Sequence, residues 1–257
     1  MNIQQLFSLQ GRVALVTGGS RGIGRMIAEG LLAAGARVYI SARKAQACDA
    51  AAQQMSAGGP CVSLPADVST CAGIDALLAA YRAHENKLDI LVNNAGAAWA
   101  APYDEFPESG WDKVVDLNLK APFFLTQAAT PLLKAAATDH LAKVIHVASI
   151  DGISVNQMET YSYAASKAGL IHLTRRMAIR LAPERIAVSA IAPGAFPSTM
   201  NKDARDHGDE IAPRIPLGRL GVAEDMAGAA IYLASRAGDY VVGGTLTVDG
   251  GAAWARR

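Results

Sequence analysis

Seven short apolar runs alternate with longer Ala- and Leu-rich stretches along almost the whole sequence. Short continuous apolar runs are typical of parallel strands buried on both faces, and the longer stretches have the period of helices. The predicted strands are 13–16, 38–40, 62–64, 90–92, 144–147, 188–191 and 246–248. The predicted helices are 25–34, 45–55, 74–84, 111–134, 161–181 and 224–235. This alternation predicts an α/β fold with one doubly wound, mostly parallel seven-stranded sheet and helices on both faces.

Nothing in the sequence divides the chain into separate units. It holds no Pro/Ser-rich linker, no repeat and no block of like charge, and 257 residues suit one α/β domain. We therefore expect a single domain over 1–257. The least regular segment, 194–216, is rich in Gly, Pro and charged residues and is longer than most connections within a domain. Because long loops of this kind are usually functional, this segment is predicted to be a lid over the substrate.

Charge and composition disfavour several classes of function. The 24 Lys and Arg residues balance the 23 Asp and Glu residues, which argues against a protein that binds nucleic acid or a membrane surface. No apolar run reaches the ~20 residues of a membrane span, and the first residues lack a signal-peptide pattern, so we expect a soluble, cytoplasmic protein. Three cysteines without a CxxC pair and five histidines without an HExxH motif predict neither disulfides nor a metal site.

A glycine-rich loop, 17–24, directly follows the first predicted strand and precedes the first predicted helix. Glycines at this place allow a tight turn and a close approach of the backbone to a pyrophosphate, which binds the N–H groups at the start of the helix. The glycine spacing is weak evidence alone, but its position predicts a Rossmann-type dinucleotide site. The residues expected to contact the cofactor here are Gly18, Ser20, Arg21, Gly22, Ile23 and Gly24.

The end of the second predicted strand indicates which dinucleotide binds. Sites that prefer NAD place an acidic residue there for the ribose 2′-hydroxyl, and this chain has Arg43 instead. Together with Arg21, Arg43 offers two cations to a 2′-phosphate, which the donor fork of a guanidinium suits. The cofactor is therefore predicted to be NADP(H). The alternative is that both arginines are ordinary solvated charges.

Tyr163 and Lys167 are four residues apart on one predicted helix, so their side chains project from the same face. A phenol, with a pKa of about 10, is a poor acid or base at neutral pH. An ammonium ~4 Å away, at an effective dielectric constant of ~20, favours the phenolate by ~4 kcal/mol and predicts a pKa of about 7 for Tyr163. Tyr163 is then able to protonate the alkoxide formed when a carbonyl accepts hydride, or to deprotonate an alcohol in reverse.

Ser149 follows the fifth predicted strand, at the carboxyl edge where open α/β sheets hold their ligands. Its hydroxyl is predicted to donate to the substrate oxygen as negative charge develops there. A serine at a strand end is also a common cap or turn residue, so this assignment depends on the residues around it.

Six elements of the sequence together resemble the short-chain dehydrogenase/reductase family. They are Thr17-Gly18-x-x-x-Gly22-Ile23-Gly24, Asn93-Asn94-Ala95-Gly96, Asn118, Ser149, Tyr163-x-x-x-Lys167 and Pro193-Gly194, in the order and spacing of the family. The resemblance covers the chain from Leu9 to Gly251. It implies an NADP(H)-dependent oxidoreductase in which Ser149 polarises a carbonyl, Lys167 also binds the nicotinamide ribose, and Asn118 holds a water relay that leads to Lys167.

The resemblance also implies the remaining contacts with the cofactor. Asp67 faces the adenine, and Asn94 and Gly96 line the adenosine ribose. Ser198 lies where many relatives have a threonine near the nicotinamide carboxamide, and Thr199 beside it is the alternative for that role. The other residues carried over as cofactor contacts are Val68, Ala95, Tyr163, Lys167, Pro193, Gly194 and Phe196.

Within the family, the motifs most resemble the 3-oxoacyl thioester reductases, in particular the rhamnolipid-associated type. An apolar substrate wall is predicted from residues on loops at the carboxyl edge of the sheet, namely Trp99, Met158, Phe196 and Met200. The alternatives are a sugar, polyol or broad-specificity alcohol dehydrogenase on the same fold, which includes work in the oxidative direction. An alternative from another class is a non-catalytic protein that senses NADP(H).

The partners follow from the same resemblance. The substrate is expected to be a 3-oxoacyl group carried by an acyl carrier protein or by coenzyme A, and the sequence does not distinguish the two. A homotetramer is implied, built from the long helices and the C-terminal strand region. Four small residues on those helices are expected to allow close packing between subunits, namely Ala121, Ala128, Ala129 and Ala168.

Overall fold

A computed structural model of the chain, which describes residues 1–198 and 201–255, contains one seven-stranded sheet. Its strands are β1 (Val13–Thr17), β2 (Arg37–Ser41), β3 (Cys61–Ser63), β4 (Ile90–Asn93), β5 (Ala142–Val147), β6 (Ile186–Pro193) and β7 (Thr245–Val248). They lie in the order β3-β2-β1-β4-β5-β6-β7, and every neighbouring pair is parallel. All seven predicted strands are present, and the predicted fold class is confirmed.

Helices cover both faces of this sheet. They are α1 (Ile3–Phe7), α2 (Gly22–Ala33), α3 (Ala45–Met55), α4 (Cys71–Arg82), α5 (Glu108–Val115), α6 (Ala121–Ala136), α7 (Tyr161–Leu181), α8 (Lys202–Asp206), α9 (Gly208–Ile211) and α10 (Ala223–Ala234). One core lies between the sheet and α2, α3 and α10, and the other lies between the sheet and α4, α6 and α7. Among the described residues, none of these helices combines the length and the hydropathy needed to cross a membrane.

The helix predicted over 111–134 is interrupted in the structure. Helix α5 ends at Val115, a π-helical turn spans Asp116–Lys120, and α6 follows directly. Pro122 accounts for the change, because it has no N–H to donate to the carbonyl of Asn118 four residues earlier. The N–H of Ala121 bonds to the carbonyl of Asp116, five residues earlier. The prediction of one regular helix is therefore wrong at this turn, and Asn118 lies within it.

The order of the strands determines where a ligand fits. Strand β1 is flanked by β2 on one side and by β4 on the other, so the direction of winding reverses between β1 and β4. Open α/β sheets bind their ligands outside the carboxyl ends of the strands at such a reversal. The glycine loop leaves β1 at this point, and the segment 94–97 leaves β4 beside it.

The opposite, amino edge of the sheet is held by a buried carboxylate. Asp89 is only 1% exposed, and its carboxylate accepts a hydrogen bond from the N–H of Val13 at 2.9 Å. The same carboxylate lies 2.6 Å from Nε2 of His140 and 3.5 Å from Nζ of Lys87. These contacts join the starts of β1 and β4. The polar groups of this edge therefore stabilise the fold.

The four alanines predicted at subunit contacts do not share one surface. Ala121 and Ala129 are buried in the core between α6 and the sheet of their own chain. Ala128 is half-buried and Ala168 is exposed. The prediction is therefore wrong for Ala121 and Ala129, because the face of α6 that carries them packs on the sheet.

Candidate active site

The glycine loop follows a path that other residues rarely adopt. Gly18 has φ +66° and Gly22 has φ +55°, both in the left-handed region that favours glycine. A Cβ on Gly18 would lie 2.7 Å from Nδ2 of Asn94, and one on Gly24 would lie 2.3 Å from the same atom. Helix α2 begins directly at Gly22, and the first N–H groups of a helix have no partner within it. The loop therefore forms a cradle that suits a phosphate.

Asn94 braces this cradle. Its Nδ2 donates to the carbonyls of Thr17 at 2.8 Å and of Gly18 at 3.2 Å. The hydroxyl of Thr17 accepts from the backbone N–H groups of Asn94 at 3.0 Å and of Ala95 at 3.1 Å, and donates to the carbonyl of Val92 at 3.2 Å. Sequence analysis missed this positioning role, which joins the carboxyl ends of β1 and β4. The contact of Asn94 with the adenosine ribose stays a prediction.

Two cations flank the cradle. The side chains of Arg21 and Arg43 are exposed, and neither makes a hydrogen bond or ion pair within the described part of the chain. The hydroxyl of Ser41, at the end of β2, is buried and has no partner among the described residues. This edge therefore presents two unpaired guanidinium groups next to the cradle, which suit a phosphate on the adenosine ribose.

Asp67 lies in the exposed loop after β3. One carboxylate oxygen, Oδ1, accepts from the backbone N–H of Ser69 at 3.1 Å and from its hydroxyl at 2.7 Å. The side chain of Val68 is buried in the core under α4. The local turn thus fixes the orientation of the Asp67 carboxylate, and the contacts of both residues with the adenine stay predictions.

The end of β6 closes the site from the other side. A Cβ on Gly194 would lie 2.7 Å from Cβ of Asp249, so the loop after Pro193 runs tightly against β7. A Cβ on Gly22 would lie 3.3 Å from Cβ of Ser198, which brings Ser198 next to the glycine loop. Its contact with the nicotinamide carboxamide stays a prediction. Thr199, the alternative to Ser198, lies outside the described residues.

Lys167 is taken almost entirely out of water. Its side chain is 4% exposed, and Nζ donates to the carbonyl of Val147 at 2.7 Å. Burial lowers the pKa of Lys167 to about 8, and the negative charge of Asp151 opposes part of that shift. A Cβ on Gly96 would lie 3.8 Å from Nζ, so the segment after β4 helps to enclose the ammonium.

Tyr163 lies one helical turn before Lys167, with Nζ of the lysine 5.6 Å from the centroid of its ring. Burial raises the pKa of Tyr163 to about 12, and a hydrogen bond with Ser149 opposes part of the rise. The predicted pKa of about 7 is therefore wrong for the protein groups alone. The ammonium of Lys167 donates to the carbonyl of Val147. The cost of desolvating the phenolate of Tyr163 therefore outweighs the attraction between that phenolate and the ammonium. At neutral pH Tyr163 holds its proton, which is the state of a general acid.

Ser149 is oriented by the turn that follows it. Its Oγ accepts from the N–H of Asp151 at 3.1 Å and caps the short helical turn Ile150–Gly152. The hydroxyl hydrogen is then left for the phenol of Tyr163 or for an oxygen of a substrate. Ser149, Tyr163 and Lys167 thus meet at the carboxyl edge, as predicted.

Asn118 connects the segment after β4 to α7. Its Oδ1 accepts from the N–H of Ala97 at 2.8 Å, and its Nδ2 donates to the carbonyl of Ala97 at 2.9 Å and to the hydroxyl of Ser166 at 3.1 Å. Ser166 in turn donates to the carbonyl of Tyr163 at 2.8 Å. The Asn118 amide therefore holds Ala97 with both ends, and its Nδ2 also positions the start of α7. The water relay stays a prediction. The main-chain carbonyl of Asn118 lacks its usual helical donor, because Pro122 four residues later has no N–H.

Phe196 does not form a substrate wall. It is 2% exposed and belongs to the core under α10. Its ring packs on Gly221, where a Cβ would lie 2.4 Å from the ring. The predicted role of its side chain is therefore wrong, because the core has taken up the ring, and only its backbone remains for the predicted contact with the cofactor.

Two other residues of the predicted wall lie in different surroundings. The indole of Trp99 packs on Gly110, where a Cβ would lie 2.8 Å from the ring. Met158 is 59% exposed. Met200 lies outside the described residues. An apolar wall formed by Trp99, Met158 and Met200 therefore stays a prediction.

A cleft of about 610 Å³ opens beside Ser149 instead. One of its walls is the turn after β5, and the other is the last part of the segment predicted as a lid. Its lining includes Ile150, Asp151, Asn156, Pro213, Arg214 and Pro216. The long irregular segment was the only signal in the sequence for this cleft, and none of its individual residues was predicted.

We expect the Lys167 side chain to titrate at about 8 in the folded protein. Because this pKa lies below the ordinary value of 10.5, the unfolded chain binds the additional proton, and the free energy of unfolding rises as the pH increases from about 8 to about 10. Nuclear magnetic resonance of labelled lysine, with Lys167→Met to identify the signal, measures the pKa. Denaturant titrations of both proteins measure the rise, which Lys167→Met should remove. A Lys167 signal that titrates above 10 contradicts the burial argument.

Comparison with known proteins agrees with this site. Residues 18–253 match the family profile described as enoyl-(acyl carrier protein) reductase. A rhamnolipids biosynthesis 3-oxoacyl-(acyl-carrier-protein) reductase of Pseudomonas aeruginosa is 47% identical over 249 residues, which cover 95% of this chain and 97% of the relative. A 2-dehydro-3-deoxy-D-gluconate 5-dehydrogenase of Dickeya dadantii is 38% identical over 253 residues, which cover 97% of this chain and 98% of the relative.

A solved structure shows the same architecture. The Pseudomonas aeruginosa RhlG/NADP active-site complex superposes with a TM-score of 0.94 at 47% identity. The match covers 98% of this chain and 100% of that one. The overall fold is therefore shared along nearly the whole chain.

Proposed function

Since the chain belongs to the short-chain dehydrogenase/reductase family of oxidoreductases, we propose that it reduces a ketone to a secondary alcohol with NADPH. Its proposed substrate is a 3-oxoacyl thioester. The observation that carries the proposal is one constellation at the carboxyl edge of the sheet. A Tyr163 that keeps its proton at neutral pH lies between the hydroxyl of Ser149 and the buried ammonium of Lys167.

The residues of the chain supply the proton and stabilise the developing charge, and the bound cofactor supplies the hydride. Ser149 donates a hydrogen bond to the carbonyl oxygen, and Tyr163 transfers its proton to that oxygen as it becomes an alkoxide. An alkoxide is a stronger base than a phenolate, so the transfer is favourable even with the raised pKa of Tyr163. The ammonium of Lys167 then stabilises the phenolate that remains.

The choice of NADPH is supported by the charges around the cradle. Arg21 and Arg43 are both exposed without an ion pair among the described residues, and no acidic residue ends β2. The structure of the RhlG relative is a complex with NADP. The glycine loop is the place for the pyrophosphate, and the two guanidinium groups are the place for the 2′-phosphate.

The relatives point to two classes of substrate. The reductase from Pseudomonas aeruginosa, which acts on a 3-oxoacyl group, is 47% identical to this chain, against 38% for the sugar-acid dehydrogenase of Dickeya dadantii. The higher identity favours the 3-oxoacyl thioester. A carrier-protein or coenzyme A thioester is a cytoplasmic metabolite, so we place the protein in the cytoplasm and in fatty acid metabolism.

Loss of NADPH absorbance tests this proposal with 3-oxoacyl thioesters of a carrier protein and of coenzyme A. The comparison substrates are small ketones and 5-keto-D-gluconate, the sugar acid in the name of an Escherichia coli relative. We expect the thioesters to be turned over most efficiently. Faster turnover of the sugar acid or ketones favours a sugar or broad-specificity dehydrogenase. If oxidation of the alcohol with NADP⁺ is faster than reduction of the ketone with NADPH at neutral pH, the proposed direction of the reaction is wrong. If no carbonyl compound is reduced faster than in a control without protein, the result favours a non-catalytic protein that senses NADP(H).

Two tyrosines two residues apart give a matched test of the general acid. Tyr163→Phe removes the proton donor and keeps the ring, so turnover should fall by the ~10²–10⁴ typical of lost general acid catalysis. Tyr161 lies on the same helix, but its hydroxyl donates to Glu159 at 3.0 Å, and Tyr161→Phe should cost far less. Steady-state kinetics and NADPH titrations of both variants provide the measurements. NADPH binding should survive in both, and an active Tyr163→Phe beside an inactive Tyr161→Phe refutes the assignment.

Arg43 should decide between the two nicotinamide cofactors. Arg43→Ala removes a charge-assisted contact with the 2′-phosphate and should weaken NADPH binding by ~1.5–3 kcal/mol. NADH has no 2′-phosphate, so its binding should change little. Fluorescence titration of the variant with each cofactor gives the two dissociation constants. Equal losses for NADPH and NADH would show that Arg43 does not read the phosphate.

We also propose a homotetramer. A largely apolar groove on the outer faces of α6 and α7 is lined by Phe123, Phe124 and Leu173, together with Leu119 of the π turn. A second copy that packs there would remove these side chains from water. Light scattering should give four times the mass of one chain, and a monomer mass at every concentration overturns this assembly.

A further inference from the structure

The cleft beside Ser149 has two walls that carry side chains of opposite charge. The inner wall, the turn after β5, carries Asp151, and the outer wall, the end of the predicted lid, carries Arg214. Both side chains line one space of about 610 Å³, a size that holds a ligand of some tens of atoms. The cleft therefore holds a half-buried carboxylate two residues after Ser149 on one wall and an exposed cation on the other.

The inner wall rejects negative charge. Asp151 follows Ser149 by two residues, and its backbone N–H is bonded to the Ser149 hydroxyl at 3.1 Å. Its carboxylate is half-buried and accepts from Nδ2 of Asn156 at 2.7 Å. An anionic group beside the reacting carbonyl would face this carboxylate, and like charges at close range repel. The cleft thus suits a substrate whose reacting end is uncharged.

The outer wall presents an uncompensated cation. Arg214 is exposed and makes no side-chain hydrogen bond or ion pair within the described part of the chain. Other arginines of the same region are paired: Arg205 with Asp206 and Arg219 with Asp225. A guanidinium directed into a cleft without a carboxylate partner is available to bind an anionic group of a ligand through two parallel hydrogen bonds.

We propose that Arg214 is a specificity-determining residue that binds an anionic group on the polar arm of the substrate, remote from the reacting carbonyl. This inference rests on the proposed function, since it assigns the part of the substrate that selects this enzyme. A phosphate on a pantetheine arm and the distal carboxylate of a keto sugar acid share the required chemistry. A substrate with its carboxylate next to the reacting carbonyl does not fit.

A matched pair of substrates isolates the phosphate. The 3-oxoacyl thioesters of 4′-phosphopantetheine and of pantetheine, with one acyl chain, differ only in that group. The wild-type protein should favour the phosphorylated thioester in kcat/KM by at least about tenfold, the factor that a charge-assisted contact provides. Arg214→Gln should remove this preference by lowering kcat/KM for the phosphorylated thioester. Arg205→Gln, a paired arginine of the same segment, is the control and should keep the preference.

Each other outcome is decisive. Equal use of the two thioesters by the wild-type protein, or an equal loss on both in Arg214→Gln, overturns the role of Arg214 with thioesters. If no thioester is reduced and 5-keto-D-gluconate is, the proposed substrate fails. Arg214→Gln must then lower kcat/KM for that acid and not for a neutral ketose. If nothing is reduced, calorimetry with 4′-phosphopantetheine decides, since binding that Arg214→Gln does not weaken contradicts the proposal.

Discussion

A single buried ammonium sets the conditions under which the rest of the site forms. Lys167 is 4% exposed, and its Nζ donates to the carbonyl of Val147, the last residue of β5. Removing a charge from water is costly, and the pKa of about 8 reflects that cost. The packing of α7 on the sheet offsets the cost of burying this charge. The same packing places Tyr163 one turn earlier on α7, beside Ser149.

Two asparagine side chains keep this arrangement rigid. Asn94 ties the glycine loop to the end of β4, and Asn118 ties the next segment to the start of α7. Each amide replaces backbone partners that irregular segments lack, so the carboxyl edge holds its shape without regular hydrogen bonding. The cofactor cradle and the proton donor are therefore fixed relative to each other through side chains, which favours catalysis by preorganised groups.

The two edges of the sheet divide the polar groups of the molecule between structure and chemistry. At the amino edge, Asp89 is surrounded by His140, Lys87 and the N–H of Val13, so its charge is compensated. At the carboxyl edge, Arg21, Arg43 and Arg214 have no ion pair among the described residues. We expect ligands with negative charge to bind at these unpaired cations.

Much of this protein was readable in the sequence because the signals are local. Buried parallel strands need continuous apolar runs, which predicted all seven strands, and the left-handed turn after β1 needs glycine at Gly18 and Gly22. The four-residue spacing of Tyr163 and Lys167 places both on one face of α7 in any helix. The family resemblance, confirmed by comparison, and the fold class follow from such features.

Other properties were decided by packing between distant segments. The pKa of Tyr163 was predicted from one neighbouring charge, but the desolvation of its hydroxyl by the surrounding fold raises it to about 12. The same limit explains why Phe196 lies in the core and why Ala121 faces its own sheet. The cleft between Asp151 and Arg214 joins segments about sixty residues apart. A local pattern states which side chains share a face, and only the tertiary structure states what that face packs against, because burial and charge depend on every segment that comes near.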